Sequence, residues 1–402
     1  MPITNLQDIA RAHLQELCVR IPARPTSSPG NRQATRYFRS VMEDLGFLTD
    51  TQPFECLDMR QGDIHLSAGG HHFRAHISPY SPGCDAQARL TQAATLDELE
   101  KVDARGMILL LRGDVTREQL MPKNFVFYNP EEHQRIYRLM EGKQPAAVIA
   151  ATGRNPELAG ALYPFPLIED GDFDIPSAYM TDVEGDKLAE HAGETITLRM
   201  DAERIPSTAE NVVAVKKGKS ASRVVVCAHI DAKAGTPGAL DNAAGTVVLL
   251  LLGELLKTEK TNTSIEMVAF NGEDYYSAGG QMAYLAANRD KWGNIKIAIN
   301  MDGLGYRGHA TGISFYDCPW YLEQKTRKVL ARHTGIKEMA PWPQGDHMVF
   351  VANGVPALAL TTTAFEELEA TIAHTDKDRP ELVDTALLAE TAVFLSDLLR
   401  EL

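Results

Sequence analysis

The strongest constraint on this chain is the order of apolar runs after about Asn211. Val224–Ala228 reads VVVCA, a strand with no polar face. Ala243–Leu256 is helical in pattern yet apolar almost all round. Strand-like Ile265–Phe270, helical Gln281–Asn288, strand-like Ile295–Met301 and Gly354–Thr361, and an amphipathic helix over Asp384–Leu399 follow. A strand that is apolar on every side needs cover on both faces, which parallel sheets obtain from crossover helices. The alternation predicts an α/β domain, a mixed but mostly parallel sheet sandwiched by helices. Gly253 and Glu254 break the Ala243–Leu256 run short of a bilayer's width, so it reads as a core helix.

Upstream, Asn5 opens an amphipathic helix, and a Pro/Ser/Gly loop (Ile21–Gly30) ends it. A second helix runs from about Asn31 to Leu45 and stops at Gly46. Between Cys56 and Ile205 the pattern changes to short β-like pieces: Asp63–Leu66, Phe73–Ile77, Met107–Arg112, Ala146–Ala150 and Thr195–Met200. The expected organisation is therefore one domain built from residues 1–55 and 206–402, interrupted by a β-rich α+β insertion over 56–205.

The formal net charge of −14 over 402 residues makes a poor surface for nucleic-acid phosphates. The opening residues lack the basic end and apolar run of a secretory signal. Five scattered cysteines with no CxxC read as reduced thiols. Together these lead to the expectation of a cytoplasmic protein with no membrane and no nucleic-acid partner; the sequence does not set an oligomeric state.

In open α/β sheets, function gathers beyond the carboxyl ends of strands. Those ends carry chemistry here. His229 and Asp231 follow the first strand, with Asp241 ten residues further on. Glu273 and Asp274 follow the second, Asp302 the third, and His374, Asp376 and Asp378 come after the fourth. A lone strand-end Asp is ordinarily a helix cap, and a lone loop His ordinarily sits in water. Four strand ends all delivering acids or histidines to one rim are another matter. Carboxylates gathered there would repel and their pKa values would rise, unless a divalent cation neutralised them. Mixed His/carboxylate sites suit hydrolytic zinc.

At this point the sequence resembles the di-zinc exopeptidases of the aminopeptidase Y, bacterial leucyl aminopeptidase and glutamate carboxypeptidase family. The matching segments are AHID (Ala228–Asp231), GALDNAAG (Gly238–Gly245), NGED (Asn271–Asp274), INMDGLG (Ile299–Gly305), GDHMVFVANGVPAL (Gly345–Leu358) and AHTDKD (Ala373–Asp378). SPGNRQATRYF (Ser28–Phe38) resembles the family's opening. The resemblance implies two divalent metal ions, Zn2+ by family habit, and a peptide substrate cleaved at its N-terminus. His229 and Asp302 would hold one metal, Asp274 and His374 the other, and Asp241 would bridge them. Asp231 would orient His229, and Glu273 would be the general base. The family's usual Glu-Glu pair is Glu273-Asp274 here, one methylene shorter at the ligand. The insertion resembles a protease-associated domain through ARGMILLLRGD (Ala104–Asp114), QPAAVIA (Gln144–Ala150) and IPSAYMTDVEGDKL (Ile175–Leu188).

The same resemblance leaves a glutaminyl-cyclase-type acyltransferase, a carboxypeptidase with Arg307 or Arg332 as carboxylate partner, and a non-catalytic receptor-like module as alternatives. His65, His71, His72 and His76 around Gly69-Gly70 read as an exposed hairpin. Glu366, Glu367 and Glu369 read as a solvated face, close enough to His374 to meet a cationic substrate.

Overall fold

The computed structural model describes residues 3–21, 23–154 and 156–402. Pro22, inside the expected Ile21–Gly30 loop, lies outside the described residues. The chain divides into two compact units, Met1–Glu55 with Thr208–Leu402, and Cys56–Ser207.

The first unit is built on a mixed sheet. Its strand order is Ile336–Glu338, Thr311–Tyr316, Ala357–Thr362, Ile295–Met301, Arg223–His229, Ser264–Phe270, then the C-terminal part of Thr195–Lys216. Four neighbouring pairs are parallel; Thr311–Tyr316 against Ala357–Thr362, and Ser264–Phe270 against residues 212–216, are antiparallel. Arg223–His229 is buried at every residue after the first, the cover that an all-apolar strand demands. One face packs on helices Ile3–Gln15, Pro29–Asp44, Ala244–Leu256 and Thr385–Glu401. The other packs on Phe270, Tyr284, Trp292 and Phe350, whose rings meet edge to face.

Local signals set the helix starts. Ser28 caps Pro29–Asp44 through its hydroxyl, which accepts from the Asn31 N–H, and Pro29 takes the first turn where no N–H is needed. Asp384 caps the last helix in the same way, accepting from the Ala386 N–H. Ala239–Leu256 is long and apolar enough by composition to cross a membrane, but 89% of it is buried inside the protein.

The second unit has its own sheet, in which Cys84–Ala93, Ile108–Leu111, Ala147–Thr152 and Ser177–Thr181 run parallel. His76–Ile77 adds antiparallel at one edge, and residues 195–200 pair antiparallel with Cys84–Arg89 at the other. Each face carries a separate apolar cluster. The piece expected over Phe73–Ile77 is two short strands, His71–Phe73 and His76–Ile77, because residues 74 and 75 leave the ladder. His71 and His72 are exposed on the hairpin that Gly69 and Gly70 turn.

Candidate metal centre

Parallel pairing in register brings the chemistry to one edge. Phe270 stands opposite His229, and Met301 opposite Leu360, so the segments that follow these strands leave the sheet on one side. His229 is the last residue of its strand, and Asp302 directly follows Met301.

Asp241 lies at the entry to the buried helix, with non-helical backbone at Asp241 and Asn242. Two glycines make this turn feasible. Gly238 has φ +58°, and a side chain there would meet Ala232 and the Asp241 carbonyl at 2.6 Å. A Cβ on Gly245 would lie 2.4 Å from Asn242 Oδ1 and 2.8 Å from the Met301 carbonyl. The close approach lets the Gly245 N–H donate to Asn242 Oδ1, while Asn242 Nδ2 donates to the Met301 carbonyl.

The two oxygens of Asp241 face two different histidines. Oδ1 is 3.1 Å from His229 Nε2, and Oδ2 is 3.2 Å from His374 Nε2. His229 Nε2 is also 3.5 Å from Asp302 Oδ1, and His374 Nε2 is 3.2 Å from Asp274 Oδ1. All five residues assigned from sequence as ligands thus come together. Both ring nitrogens of His229, and Nδ1 of His374, are buried without a hydrogen bond of good geometry.

These separations test whether a cation fits. Around tetrahedral zinc with bonds of about 2.0–2.1 Å, neighbouring ligand atoms are about 3.3–3.4 Å apart. The four contacts, at 3.1–3.5 Å, lie on either side of that value. Nitrogen and carboxylate donors of this kind suit zinc. The residues present therefore fit one cation between His229, Asp241 and Asp302, and another between His374, Asp241 and Asp274.

The electrostatics agree. Burial disfavours a charged His229, yet Asp302, Asp231 and Asp241 outweigh it and hold the ring well above its ordinary pKa. His374 behaves likewise, with Asp274 and Asp241 overcoming burial. Burial would raise Asp241, but hydrogen bonds and charge from both histidines pull it far below the carboxylate range. Without a cation, protons on the imidazoles balance these acids.

Asp231, fully buried, organises the neighbouring turn. It accepts from Thr26 Oγ1 (3.0 Å) and from the backbone N–H groups of Glu273 (3.3 Å) and Asp274 (3.1 Å). Its Oδ1 is 3.6 Å from His229 Nδ1, the far nitrogen of that ring. Glu273 is half-buried and takes no part in the His–Asp contacts. Burial, with Asp302, Asp346 and Asp274 adding to it and His229 opposing, lifts its carboxyl well above the usual range.

Several residues to which sequence alone assigns no role support this arrangement, although Asp378 counts among the strand-end acids. Asp378 is buried, and its carboxylate accepts from the Leu240 N–H (2.7 Å) and the Asp241 N–H (3.0 Å). Arg24, also fully buried, donates to the carbonyls of Leu17, Ile230, Pro237 and Gly238. Its loss would cost about 1–3 kcal/mol for each of these carbonyls left without a donor, Gly238 excepted, since that carbonyl also accepts from the Ala243 N–H. Asp346 accepts from Gln281 Nε2 (3.0 Å), has a buried Oδ2 with no partner, and is pushed up to about 7, chiefly by burial. Glu369 also departs from expectation. It is half-buried, whereas Glu366 and Glu367 are exposed. Burial pushes its carboxyl up to about 8, with Asp241, Asp302 and Asp274 adding and His374 opposing. The sequence reading puts all three acids on one solvated face, which holds for Glu366 and Glu367 but not for Glu369.

A mostly parallel sheet carrying paired histidines and carboxylates beyond its strand ends defines an α/β protein built around a metal centre. Residues 211–399, which hold all five ligand-type residues with Glu273 and Asp231, match the model of Peptidase family M28. Aminopeptidase YwaD of Bacillus subtilis (strain 168) is 23% identical over 305 residues, covering 74% of this chain and 61% of the relative. The chain thus spans about three fifths of that relative's length. An aminopeptidase from Aneurinibacillus sp. strain AM-1 superposes with a TM-score of 0.74 at 22% identity, covering 98% of this chain and 92% of the other. BSAP, a zinc aminopeptidase from Bacillus subtilis, gives 0.74 at 19% identity, covering 98% and 93%. These two establish the fold.

Proposed function

We propose that the protein is a zinc-dependent aminopeptidase that removes N-terminal residues from peptides, using two cations that share Asp241. The observation that carries this reading is that Asp241 reaches both His229 and His374 while Glu273 remains outside the ligand set. The match of residues 211–399 to the model of Peptidase family M28 and the named activities of YwaD and BSAP support it.

His229 and Asp302 would hold one cation and His374 and Asp274 the other. When bound, such a pair polarises the scissile carbonyl and lowers the pKa of the attacking water. The chain's own residues supply the rest. Glu273, raised and half-buried, accepts the proton from water and returns it to the leaving amine. Asp231 fixes the His229 ring and, through the two backbone N–H groups, the turn that aims Glu273.

The acidity of the surroundings favours an amine over a carboxylate as the recognised terminus. The main electrostatic influences on Glu273, Asp302, Asp346 and Glu369 are histidines and other acids. Arg307, a candidate carboxylate partner, already donates to the carbonyls of Glu381 and Val383. That weighs against a carboxypeptidase. We further propose a cytoplasmic setting, supported by five cysteines that all stand free. The insertion's resemblance to a protease-associated domain also stands as a proposal, supported by the sequence segments alone.

Elemental analysis paired with a panel of free and N-blocked dipeptides tests the function. Two zinc ions per chain and cleavage of the free-amine peptides alone are expected. One zinc, with pyroglutamyl product from N-terminal glutamine, would replace the reading with a cyclase; cleavage regardless of N-blocking would replace it with a carboxypeptidase.

A further inference from the structure

The short helix Phe365–Thr371 sorts its acids by direction. Leu368 is buried in the core at 1% exposure and sets the inward side. Phe365 and Glu369, four residues apart, share one flank of the helix beside it. Glu366 and Glu367 project into solvent, and Glu367 is taken by the Tyr306 hydroxyl, 2.9 Å away. Glu369 has no such partner among the described residues. A Cβ on Gly303, the residue after Asp302, would lie 2.9 Å from Leu368 Cδ2, so this helix stands beside the metal centre. The charges that act on Glu369 are those of His374, Asp241, Asp302 and Asp274.

One helical turn from this carboxylate is an aromatic wall. Phe365 stacks on Trp342, with ring centroids 5.7 Å apart and planes 29° from parallel. Trp342 is held in turn by its backbone, since its N–H donates to the Tyr316 hydroxyl and its carbonyl accepts from the same group. The wall is therefore fixed in place. A rigid aromatic surface leading to an unpaired carboxylate suits a ligand with an aliphatic stem and a cationic tip: the stem packs on the rings and the tip meets the acid. A purely apolar side chain would offer the half-buried Glu369 carboxyl no polar partner, which costs affinity.

We propose that Glu369 is a specificity-determining residue that receives the charged side chain of an N-terminal Lys or Arg, with Trp342 and Phe365 packing along its stem. This rests on the aminopeptidase reading for its account of which residue of the substrate enters.

The test uses the zinc-loaded full chain, its Glu369→Gln and Glu369→Asp variants, and the chromogenic anilides of Lys, Arg and Leu. Expected is a fall of about tenfold in the Lys-to-Leu ratio of kcat/KM for Glu369→Gln, expressed mainly in KM, with Glu369→Asp retaining part of the preference. Equal losses on Lys and Leu would overturn the proposal, because Glu369 would then be serving the common α-ammonium. An unchanged ratio would overturn it too. Calorimetric binding of L-lysinamide against L-norleucinamide, close in length but differing in tip charge, reads the same pocket without turnover. A wild-type preference for lysinamide that Glu369→Gln abolishes supports the proposal even if no anilide is cleaved, a result that would count only against the aminopeptidase reading. No preference in the wild type overturns the pocket.

Discussion

Asp378 holds Asp241 by its backbone. Both oxygens of the Asp378 carboxylate are spent on the N–H groups of Leu240 and Asp241, so the residue between the two histidines is oriented by an acid that touches neither. Partners of this kind commonly govern metal affinity. Asp378→Asn keeps the shape but turns one acceptor into a donor facing an N–H. Zinc affinity, measured by competition with a chromogenic chelator, is expected to fall about 10- to 100-fold while the circular dichroism spectrum holds. Unaltered affinity would remove Asp378 from the centre's support.

Glu273→Gln should leave zinc content and melting temperature close to those of the parent, because Glu273 stands outside the His–Asp contacts. Turnover should fall by about 10²–10⁴-fold, the range expected for losing a positioned general base. A variant with near-normal kcat, or one that loses zinc, would refute the assignment.

Asp274 bears on the second cation. Its Oδ1 is 3.2 Å from His374 Nε2, and its Oδ2 accepts from the Lys233 N–H, so the short side chain is committed on both sides. Graded chelation should empty the cation beside His374 first and give two phases. Asp274→Ala should lower zinc from two ions to one. If metal content and rate survive Asp274→Ala, the residue is not a ligand.

The metal-free chain should lose stability as pH rises. Asp346 and Asp378 are both pushed up to about 7, chiefly by burial, against 3.8 when unconstrained. Between those values the folded chain holds protons that the unfolded chain has released, so each upward step in pH favours unfolding. His229 and His374, held above 6.5, extend the same sign to higher pH. The lowered Asp231 and Asp241 act in the opposite sense below 3.8, and His13 and His347, which burial lowers to about 4, oppose the trend up to 6.5, so the decline is steepest above that value. Melting temperature in chelator should decline from about pH 5 to about pH 8, and zinc should restore more of it at the upper end. A flat or rising profile would count against these buried acids.

What the sequence discloses depends on whether a residue's partner is near in pattern. Val224–Ala228 was legible because five apolar residues in a row leave few alternatives, and the observed strand, Arg223–His229, extends it by one residue at each end. The ligand-type residues were legible because each sits just past such a strand or in a segment with strong resemblance. Arg24, Asp346 and Asp378 were not. Asp346 and Asp378 fall inside the quoted segments GDHMVFVANGVPAL and AHTDKD, but their roles, like that of Arg24, are contacts with backbone or amide groups distant in sequence, which residue type does not disclose. Cys84–Ala93 escaped for a related reason: CDAQARLTQA is polar at five of its ten positions, and its place is set by neighbouring strands on both sides. Glu369 sat in a run of acids whose separation into two faces requires the helix ends to be known.

The hydrogen bond from Thr26 to Asp231 joins positions 205 residues apart, with all of Cys56–Ser207 between them. During synthesis at about 5–20 residues per second, Thr26 leaves the ribosome roughly 10–40 s before its acceptor exists. Throughout that interval the first helices lack the sheet on which they pack, and by its end residues 56–207 have every strand of their own core. The order of manufacture is thus the reverse of the order in sequence: the inserted unit is complete first, and the centre that begins near the start of the chain closes only when His374 and the helix Thr385–Glu401 arrive.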